Sequence, residues 1–353
     1  MNNEKEKGRK FDISINTPPE GYKASLRSRV LVGLVLVILF VPSFFVGSYF
    51  FFVVVALFCV LAILEAIFAR HRRYGWYVYV VTFLVTLSYV YWFTIKGNLA
   101  AYSKDPNNFV FSLVNHFSNF GISIFGIGAS LLLYFLIAIL DKNFDFADVS
   151  YFFTFTLLIG LGFQAVYCLR YYPSSFVMND HNLLWGGLKG EELLNAPIFK
   201  YFMSANLLLF LVVGALMNDT CAYFGGIYFG KHKMNERVSP HKTWEGFAFG
   251  LAGGFIFCLI YGLTLAACDM PILPTLTLDK WYWIVFCSLA IPLFGDLGDL
   301  AFSLIKRALH IKDYGNVLKG HGGILDRVDS IIFSSIGLMM ILIMIEHNWN
   351  FFL

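Results

Sequence analysis

Charged side chains are scarce in this sequence. Asp, Glu, Lys and Arg make up only 14% of its 353 residues, whereas a soluble domain carries about a quarter. The hydrophobic residues amount to 58%, and the mean hydropathy is +0.68. A chain with so few charges cannot cover a water-facing surface. This excludes a soluble globular protein and favours an integral membrane protein, for which we expect no nucleic-acid partner.

The cysteine patterns that mark metal or disulfide sites are also missing. The six cysteines form no CxxC pair and no Cys/His cluster, so neither zinc nor a disulfide framework is indicated. Most of them lie in apolar runs, where a cysteine usually acts as a small buried residue. We also expect no cleavable signal peptide, because the first apolar run begins only after residue 29 and has no small-residue cleavage site.

Long apolar runs, by contrast, are abundant. A membrane-spanning helix needs about 20 mostly apolar residues. Nine runs of this kind are found, at 30–47, 49–68, 75–95, 121–140, 150–168, 201–217, 246–267, 281–304 and 330–346. They predict an all-α integral membrane protein, a polytopic bundle of about nine transmembrane helices.

The distribution of basic residues predicts how this bundle is oriented. With nine spans and a cytoplasmic amino terminus, 20 of the 26 Lys and Arg residues fall on the inside, as the positive-inside rule requires. The inside segments are then 1–29, 69–74, 141–149, 218–245 and 305–329. We divide the chain into a cytoplasmic tail (1–28), an N-terminal transmembrane region (29–200) and a C-terminal catalytic transmembrane region (201–353). The outside stretch 169–197 is expected to form a folded loop.

The polar residues of the second half fall into two blocks on the predicted cytoplasmic side, 218–246 and 295–329. Asp219 directly follows an apolar run, and Asp296 and Asp299 lie inside another. An ionisable group at membrane depth is costly and is by default a candidate for function. These two blocks are therefore where we look for a site.

The spacing within the second block brings carboxylates and cations together. Asp299, Ser303 and Lys306 recur at i, i+4 and i+7 and share one helix face. Asp326 and Asp329 are one turn apart at the start of the last span. Mg²⁺ prefers one or two carboxylates plus substrate phosphate oxygens, while Lys and Arg neutralise the remaining phosphate charge. The pattern indicates phosphate chemistry with a divalent metal, and charge pairs that only stabilise the bundle are the alternative.

The residues of both blocks form a long, gapped pattern. The second block contains Ser303-Leu-Ile-Lys306-Arg307, Lys312-Asp313-Tyr-Gly315 and His321-Gly322-Gly323-Ile-Leu-Asp326-Arg327-Val-Asp329. The first contains Asn218-Asp219, Gly230-Lys231 and Ser239-Pro240-His241-Lys242-Thr243-Trp-Glu245-Gly246. Over roughly 218–330 this pattern resembles the phosphatidate cytidylyltransferases, the CDP-diacylglycerol synthases. The resemblance is looser before residue 218, where Glu65 lies near the cytoplasmic end of the second span.

The resemblance implies a nucleotidyltransferase of phospholipid biosynthesis that converts CTP and phosphatidate to CDP-diacylglycerol and pyrophosphate. It implies a helical bundle in the lipid bilayer, commonly a homodimer, that depends on Mg²⁺, with a monovalent cation such as K⁺ as a further candidate. We expect a bacterial plasma membrane, with the active site on its cytoplasmic side.

The resemblance also implies roles for individual residues. The expected metal ligands are Asp219, Asp299, Asp326 and Asp329. The expected catalytic residues are Asp299, Lys306, Arg307, Asp326, Arg327 and Asp329. The expected substrate-binding residues are Asn218, Asp219, Ser239, Lys242, Thr243, Ser303, Lys312, Asp313, His321, Gly322 and Gly323.

Two positions depart from the family pattern. Lys319 stands where the family usually has Pro or Gly, which predicts altered dynamics of the loop before His321. Phe302 stands where bacterial members often place Glu, so a role for a carboxylate at that position is in doubt.

Two other functions remain open from the sequence. A secondary transporter or channel would also have many spans and intramembrane carboxylates, although its charges are expected at the midplane and not at one face. A sister cytidylyltransferase that acts on another lipid phosphate would share the same chemistry, and only competition between lipids separates the two.

Overall fold

The protein is a bundle of α-helices with two short β-hairpins. The computed structural model describes the backbone of residues 38–46, 48–102, 119–179, 184–185, 188–189, 204–315 and 322–346. Its helices are α1 (38–46), α2 (Ser48–Ala69), α3 (Trp76–Tyr102), α4 (Asn119–Leu140), α5 (Phe146–Asn179), α6 (Ser204–Phe229), α7 (Trp244–Ala267), α8 (Trp281–Ala308) and α9 (Leu325–Glu346). The hairpins pair β1 (Leu184–Trp185) with β2 (Leu188–Lys189) and β3 (Lys233–Asn235) with β4 (Ser239–Thr243), both antiparallel. A 3₁₀ turn, Leu278–Lys280, precedes α8.

Within the residues that the structure describes, six segments are long and apolar enough to cross a membrane. They are Phe50–Ala69, Phe146–Tyr171, Ala205–Phe229, Trp244–Ala267, Leu278–Ala308 and Leu325–Ile345. Two shorter apolar helical stretches, Trp76–Tyr91 and Gly126–Leu140, coincide with the third and fourth predicted runs. The chain is therefore an all-α multi-pass membrane protein. The count of nine spans and the cytoplasmic amino terminus stay predictions.

The loops that the charge distribution placed on one side do meet at one end of the bundle. Arg70, just after α2, pairs with Asp148 in the first turn of α5, with 2.9 Å between Nε and Oδ1. Glu65, one turn before the end of α2, accepts a hydrogen bond from the backbone N–H of Ile324 at 2.8 Å, just before α9 begins. These contacts join three of the predicted inside loops, although they do not say which side of the membrane that end faces.

Small residues let α6 and α7 approach closely. The buried face of α7 repeats every four residues, as Gly246, Gly250, Gly254, Cys258, Gly262 and Ala266. A Cβ atom on Gly250 would come within 2.8 Å of the Ala222 Cβ atom on α6. A stripe of small residues of this kind permits close helix packing in a membrane, where apolar burial alone gives helices little reason to associate.

Two helices extend more than ten residues beyond the ends of their predicted runs. The sixth run was expected to stop at 217, but α6 continues to Phe229, so Asp219 lies inside a helix and not after one. The polar residues there keep helical geometry; Thr220 Oγ1, for example, donates to the Leu216 carbonyl at 2.7 Å. Helix α5 likewise continues to Asn179, into the stretch predicted as a loop from 169.

Arg170 joins the extended part of α5 to the end of α1. Its Nε atom donates to the Phe44 carbonyl at 2.6 Å, and its guanidinium also reaches the Phe45 carbonyl. The last carbonyls of a helix have no partner within it and attract cations. Arg170 is only 2% exposed and satisfies the end of α1, so a residue expected in an outside loop is part of the packed bundle.

Candidate functional site

Three carboxylates from three helices converge near the predicted cytoplasmic end of the bundle. Asp219 lies on α6, Asp299 on α8 and Asp329 on α9. Their negative charges act on one another, and Asp296, one turn before Asp299, adds a fourth. Such a concentration of like charge costs free energy unless cations or a bound metal compensate for it. The convergence is the central feature of the site.

Close backbone packing brings α8 and α9 together at this point. A Cβ atom on Gly298 would lie 2.7 Å from the Asp329 carbonyl oxygen and 2.7 Å from the Phe333 Cβ atom. Only glycine allows this approach, because the atom in the way is backbone and cannot rotate aside. Gly298 thus sets the separation between Asp299, its neighbour in sequence, and Asp329.

Two lysines compensate part of the negative charge. Lys242, at the end of β4, pairs with Asp299, with 2.7 Å between Nζ and Oδ2. Lys306 pairs with Asp326, with 2.8 Å between Nζ and Oδ1. Ser303 Oγ donates to Asp299 Oδ1 at 3.4 Å, which confirms that these two residues share a helix face. The two sequence blocks, far apart in the chain, therefore meet in one site.

The β3–β4 hairpin holds Lys242 in place. Thr243 caps α7, because its Oγ1 atom accepts a hydrogen bond from the Gly246 N–H at 3.1 Å. Glu245 accepts from the backbone N–H groups of Lys231 and His232 at 3.1 and 3.2 Å. At the other end of the hairpin, Arg307 Nε donates to the Val238 carbonyl at 3.2 Å. A short hairpin would otherwise be mobile, and these contacts fix its orientation.

Asp326 organises the loop before α9. Its Oδ2 atom accepts hydrogen bonds from the backbone N–H groups of Tyr314 at 2.9 Å and Gly323 at 3.0 Å. Since Oδ1 is paired with Lys306, both oxygens of this carboxylate have protein partners. Gly322 has φ of +78°, in the left-handed region that favours glycine. The expected metal-binding role of Asp326 stays a prediction, and the structure adds a role in shaping the loop.

Glu65 is a site residue that the sequence pattern did not include among the expected ones. It is 3% exposed, and it accepts hydrogen bonds from the N–H groups of Ile324 at 2.8 Å and Leu325 at 2.9 Å. The first N–H groups of a helix have no intrahelical partner, and a carboxylate there also meets the favourable end of the helix dipole. The signal that could have identified Glu65 is a single acidic residue in a run of apolar ones.

Phe302 replaces the family carboxylate with a fully buried ring. It packs edge-on against Tyr314 and Phe333, with ring centroids 6.0 and 6.1 Å apart. Tyr314 donates from its hydroxyl to the Phe302 carbonyl at 3.1 Å. Burial, together with nearby negative charge, raises the pKa of Tyr314, so its hydroxyl stays a neutral donor. In this chain, position 302 therefore packs the segment around Tyr314 against α8 and α9 and offers no carboxylate to the site.

A buried polar pair lies beside the carboxylates. Asn218 Nδ2 on α6 donates to Asp296 Oδ1 on α8 at 3.1 Å, and the two residues are 1% and 7% exposed. The other oxygens of this pair, Asn218 Oδ1 and Asp296 Oδ2, have no hydrogen-bond partner among the described residues. Buried acceptors without partners are rare, and they indicate that the site accommodates a donor or a cation.

Comparison with known sequences agrees with this geometry. A sequence model described as the Cytidylyltransferase family matches residues 27–345. The chain belongs to the cytidylyltransferase family. It is thus a nucleotidyltransferase by family. The match includes both polar blocks and the nine predicted spans as far as residue 345.

Curated relatives in this family carry the name phosphatidate cytidylyltransferase. The one from Bacillus subtilis is 28% identical over 228 residues, which are 65% of this chain and 70% of the relative. The one from Staphylococcus saprophyticus is 31% identical over 196 residues, 55% of this chain and 60% of the relative. The one from Mycobacterium leprae is 36% identical over 127 residues, 36% of this chain and 37% of the relative. The chain thus spans less than two thirds of the length of the last two.

The donor set suits a divalent cation shared with substrate phosphates. No group of three or more His, Cys, Asp or Glu side chains with metal-binding geometry occurs in the part of the chain that the structure describes. Mg²⁺ needs no such cage, since it usually binds one or two carboxylates and takes its other ligands from water and phosphate. Asp299 and Asp329, on adjacent helices, would supply these carboxylates, and the buried Asp296 Oδ2 atom is a further acceptor that no described residue occupies.

The remaining family residues lie around this centre. Lys312 and Asp313 are exposed in the loop after α8, and Arg327 is exposed on the first turn of α9. Ser239 begins β4, opposite Asn235. His321 and Lys319 lie outside the described residues. The expected roles of all these residues in binding stay predictions.

Proposed function

We propose that this chain transfers the cytidylyl group of CTP to phosphatidate and releases CDP-diacylglycerol and pyrophosphate. The observation that carries the proposal is the meeting of Asp219, Asp299 and Asp329 with Lys242 and Lys306 at one end of a membrane bundle. Family membership and the names of the relatives support cytidylyl transfer and a phosphatidate acceptor.

The residues of the site act by position and charge. Asp299 and Asp329 would hold Mg²⁺, with Asp219 beside them, and a bound metal would supply positive charge that neutralises the substrate phosphates and the leaving pyrophosphate. Lys306, Arg307 and Arg327 would bind phosphate groups. Electrostatic stabilisation by fixed charges is the main source of catalysis in phosphoryl transfer, where the protein does little covalent chemistry.

No general base is needed for this reaction. The nucleophile is a phosphate oxygen of phosphatidate, which is already an anion at neutral pH. It attacks the α-phosphorus of CTP as the bond to the β-phosphate oxygen breaks, and pyrophosphate leaves. The proposal therefore does not require a His–carboxylate couple at the site.

The position of the site in the bundle suits the two substrates. The carboxylates lie on spanning helices, close to the β3–β4 hairpin through Lys242 and to the described residues just before α9. The phosphatidate headgroup lies at the membrane interface, whereas CTP is water-soluble. We propose that this end faces the cytoplasm of a bacterium, as the basic loops suggest, and that the chain acts as a homodimer in the plasma membrane.

The test is turnover by the purified chain in detergent with labelled CTP, phosphatidate and Mg²⁺. We expect a lipid-extractable cytidine product and pyrophosphate, both dependent on Mg²⁺ and both lost in Asp299→Asn. Asp279→Asn is the matched control, because Asp279 is exposed in the 3₁₀ turn at the opposite end of α8. A folded wild-type protein that makes neither product with any divalent metal would refute the proposal for phosphatidate. Competition among lipid phosphates then tests the sister activity.

A further inference from the structure

A cavity opens between the two halves of the chain, outside the carboxylate centre that Asp219, Asp296, Asp299 and Asp329 form. It has a volume of about 660 Å³, within the range of about 300–1,000 Å³ usual for small-molecule sites. One wall is the α2–α3 loop, with His71, Arg72 and Arg73, and the other is the loop after α8, with Lys312 and Asp313. The family signature supplies only the second wall.

The cavity carries an excess of positive charge. Its lining contains Arg72, Arg73 and Lys312 but only one carboxylate, Asp313. Arg72 is already paired with Asp145 and Asp148, at 2.8 and 2.9 Å. Arg73 and Lys312 are exposed and have no hydrogen bond or ion pair within the described side chains. Two cations without partners on opposite walls of a cavity are suited to an anionic ligand.

The first wall of the cavity contains a residue with an unusual backbone conformation. His71 has φ of 53°, in the left-handed region that residues other than glycine rarely adopt. Its N–H donates to the Phe68 carbonyl at 3.0 Å, so it terminates α2 in the way a glycine usually does. Strained residues of this kind tend to occur at binding sites. Here the turn carries the chain from α2 directly into Arg72 and Arg73.

The second wall connects the cavity to the carboxylate centre. Tyr314, which lines the cavity, donates its N–H to Asp326. A Cβ atom on Gly322 would lie 3.2 Å from Asp326 Oδ2 and 3.7 Å from the Asp313 Cβ atom. Tyr314 therefore belongs both to the wall of the cavity and to the segment that contacts Asp326. A ligand in the cavity would lie next to the residues that precede α9.

We propose that this cavity binds a phosphate-bearing part of a substrate, and that Arg73, from the N-terminal half, contacts it together with Lys312. This inference rests on the proposed function and extends the substrate site beyond the two sequence blocks. Two sources share the chemistry, the triphosphate of CTP and the headgroup of phosphatidate. Charge-assisted hydrogen bonds to phosphate are the interaction that Arg and Lys would supply.

The test compares Arg73→Gln and Lys312→Gln with Lys142→Gln. Lys142 is exposed in the α4–α5 loop at the same end of the bundle and does not line the cavity. The KM for CTP and the KM for phosphatidate in mixed micelles are measured separately. We expect each cavity variant to raise one of them about threefold to thirtyfold, with little change in kcat and none in the control. A rise for CTP assigns the cavity to the nucleotide, and a rise for phosphatidate assigns it to the lipid. Unchanged KM values for both substrates would overturn the proposal.

A second measurement separates this inference from the proposed function. Binding of inorganic tripolyphosphate to the purified chain in detergent is followed by calorimetry, which needs no turnover. If the wild type binds tripolyphosphate and Arg73→Gln weakens that binding at least threefold relative to Lys142→Gln, the cavity is a phosphate-binding site. This conclusion holds even if phosphatidate is not the acceptor. Equal binding by both variants excludes the triphosphate as the ligand of the cavity and, together with an unchanged KM for phosphatidate, overturns the proposal.

Discussion

Glu65 Oε1 accepts a hydrogen bond from the backbone N–H of Ile324 at 2.8 Å, although 259 positions separate the two residues. Its other oxygen accepts from Leu325. A carboxylate in the N-terminal half thus caps the helix that carries Asp329. The two halves of the chain are therefore joined at the site itself, and not only through apolar packing between helices.

Loss of the Glu65 carboxylate is expected to destabilise the start of α9. Glu65→Ala leaves two buried N–H groups without their acceptor, and each such group costs about 1–3 kcal/mol. Glu65→Gln keeps one accepting oxygen but turns an amide donor toward the other N–H, so its effect is intermediate. We expect the thermal midpoint in detergent to fall in the order wild type, Gln, Ala.

Asp269→Asn is the control for this series. Asp269 is exposed beyond the end of α7 and has φ of 57°, a conformation that Asn tolerates. An unchanged midpoint in Glu65→Ala would show that water replaces the carboxylate and that the cap is dispensable.

The contact between α8 and α9 is predicted to control activity through distance. In Gly298→Ala the new Cβ atom would meet the Asp329 carbonyl oxygen at 2.7 Å, so the helices must separate. Overpacking of this kind costs about 1–3 kcal/mol. Because Asp299 and Asp329 move apart with the helices, we expect kcat to fall at least about tenfold, more than the loss of folded protein explains.

Gly128→Ala is the matched control for Gly298→Ala. Gly128 is also inside a helix, but a Cβ atom there would meet nothing within 4 Å. The gain in helix propensity, about 1 kcal/mol, is then the only expected contribution to the change in the free energy of unfolding, so Gly128→Ala should be as stable as the wild type or slightly more stable. Similar activity in the two variants would exclude the spacing argument.

Much of the bundle could be predicted from hydropathy, whereas helix ends could not. Helices α2 and α7 lie within two residues of their predicted runs, because apolar runs with clear boundaries leave no alternative. The end of α6 was missed, because Asn218 and Asp219 read as the start of a loop although both are polar residues inside a helix. Asn218 is hydrogen-bonded to Asp296, and Asp219 lies near the carboxylates of Asp296 and Asp299. These neighbours are on another helix, so the local sequence does not reveal them.

The sequence predicted that the two polar blocks lie together, but it did not predict the contacts that join them. The spacing of Asp299 and Ser303 specified a shared helix face, and their hydrogen bond confirms it. The pairing of Lys242 with Asp299 joins a strand of the hairpin to helix α8, and no periodicity in the sequence connects the two. Glu65 and Arg73 come from the half of the chain where the family pattern is weak, so only tertiary structure brings them to the site.

The ion pair between Arg72 and Asp145 predicts a specific acid sensitivity. The hydrogen bond from Arg72, with a second one from the Asp148 N–H, lowers the pKa of Asp145 below its ordinary value. A carboxylate with a lowered folded pKa stabilises the protein above its unfolded pKa of about 4, and that contribution is lost as pH falls through the folded pKa. We expect Asp145→Asn to lower the thermal midpoint at pH 6, and we expect its difference from the wild type to shrink progressively as the pH falls below about 4. A difference that does not shrink below about pH 4 would mean that the charge of Asp145 is not the cause.

The pairing of Lys242 with Asp299 predicts competition between the lysine and Mg²⁺. The ammonium lies 2.7 Å from Asp299 Oδ2, an oxygen that the proposed metal also needs. When Lys242 is replaced by Gln, the carboxylate is no longer held by a cation, and metal affinity should increase because an opposing positive charge is removed. At the same time a cation for the nucleotide phosphates is lost.

Lys242→Gln should therefore lower the Mg²⁺ concentration that gives half-maximal activity, by about twofold to fivefold, and raise the KM for CTP. Lys233→Gln is the matched control, since Lys233 is exposed on the other strand of the same hairpin and has no partner within the described side chains. Measurement of activity against Mg²⁺ at saturating CTP, and against CTP at saturating Mg²⁺, separates the two effects. If Lys242→Gln instead needs more Mg²⁺, the lysine positions Asp299 for the metal, and the pair seen here is part of the working site and not a competitor for it.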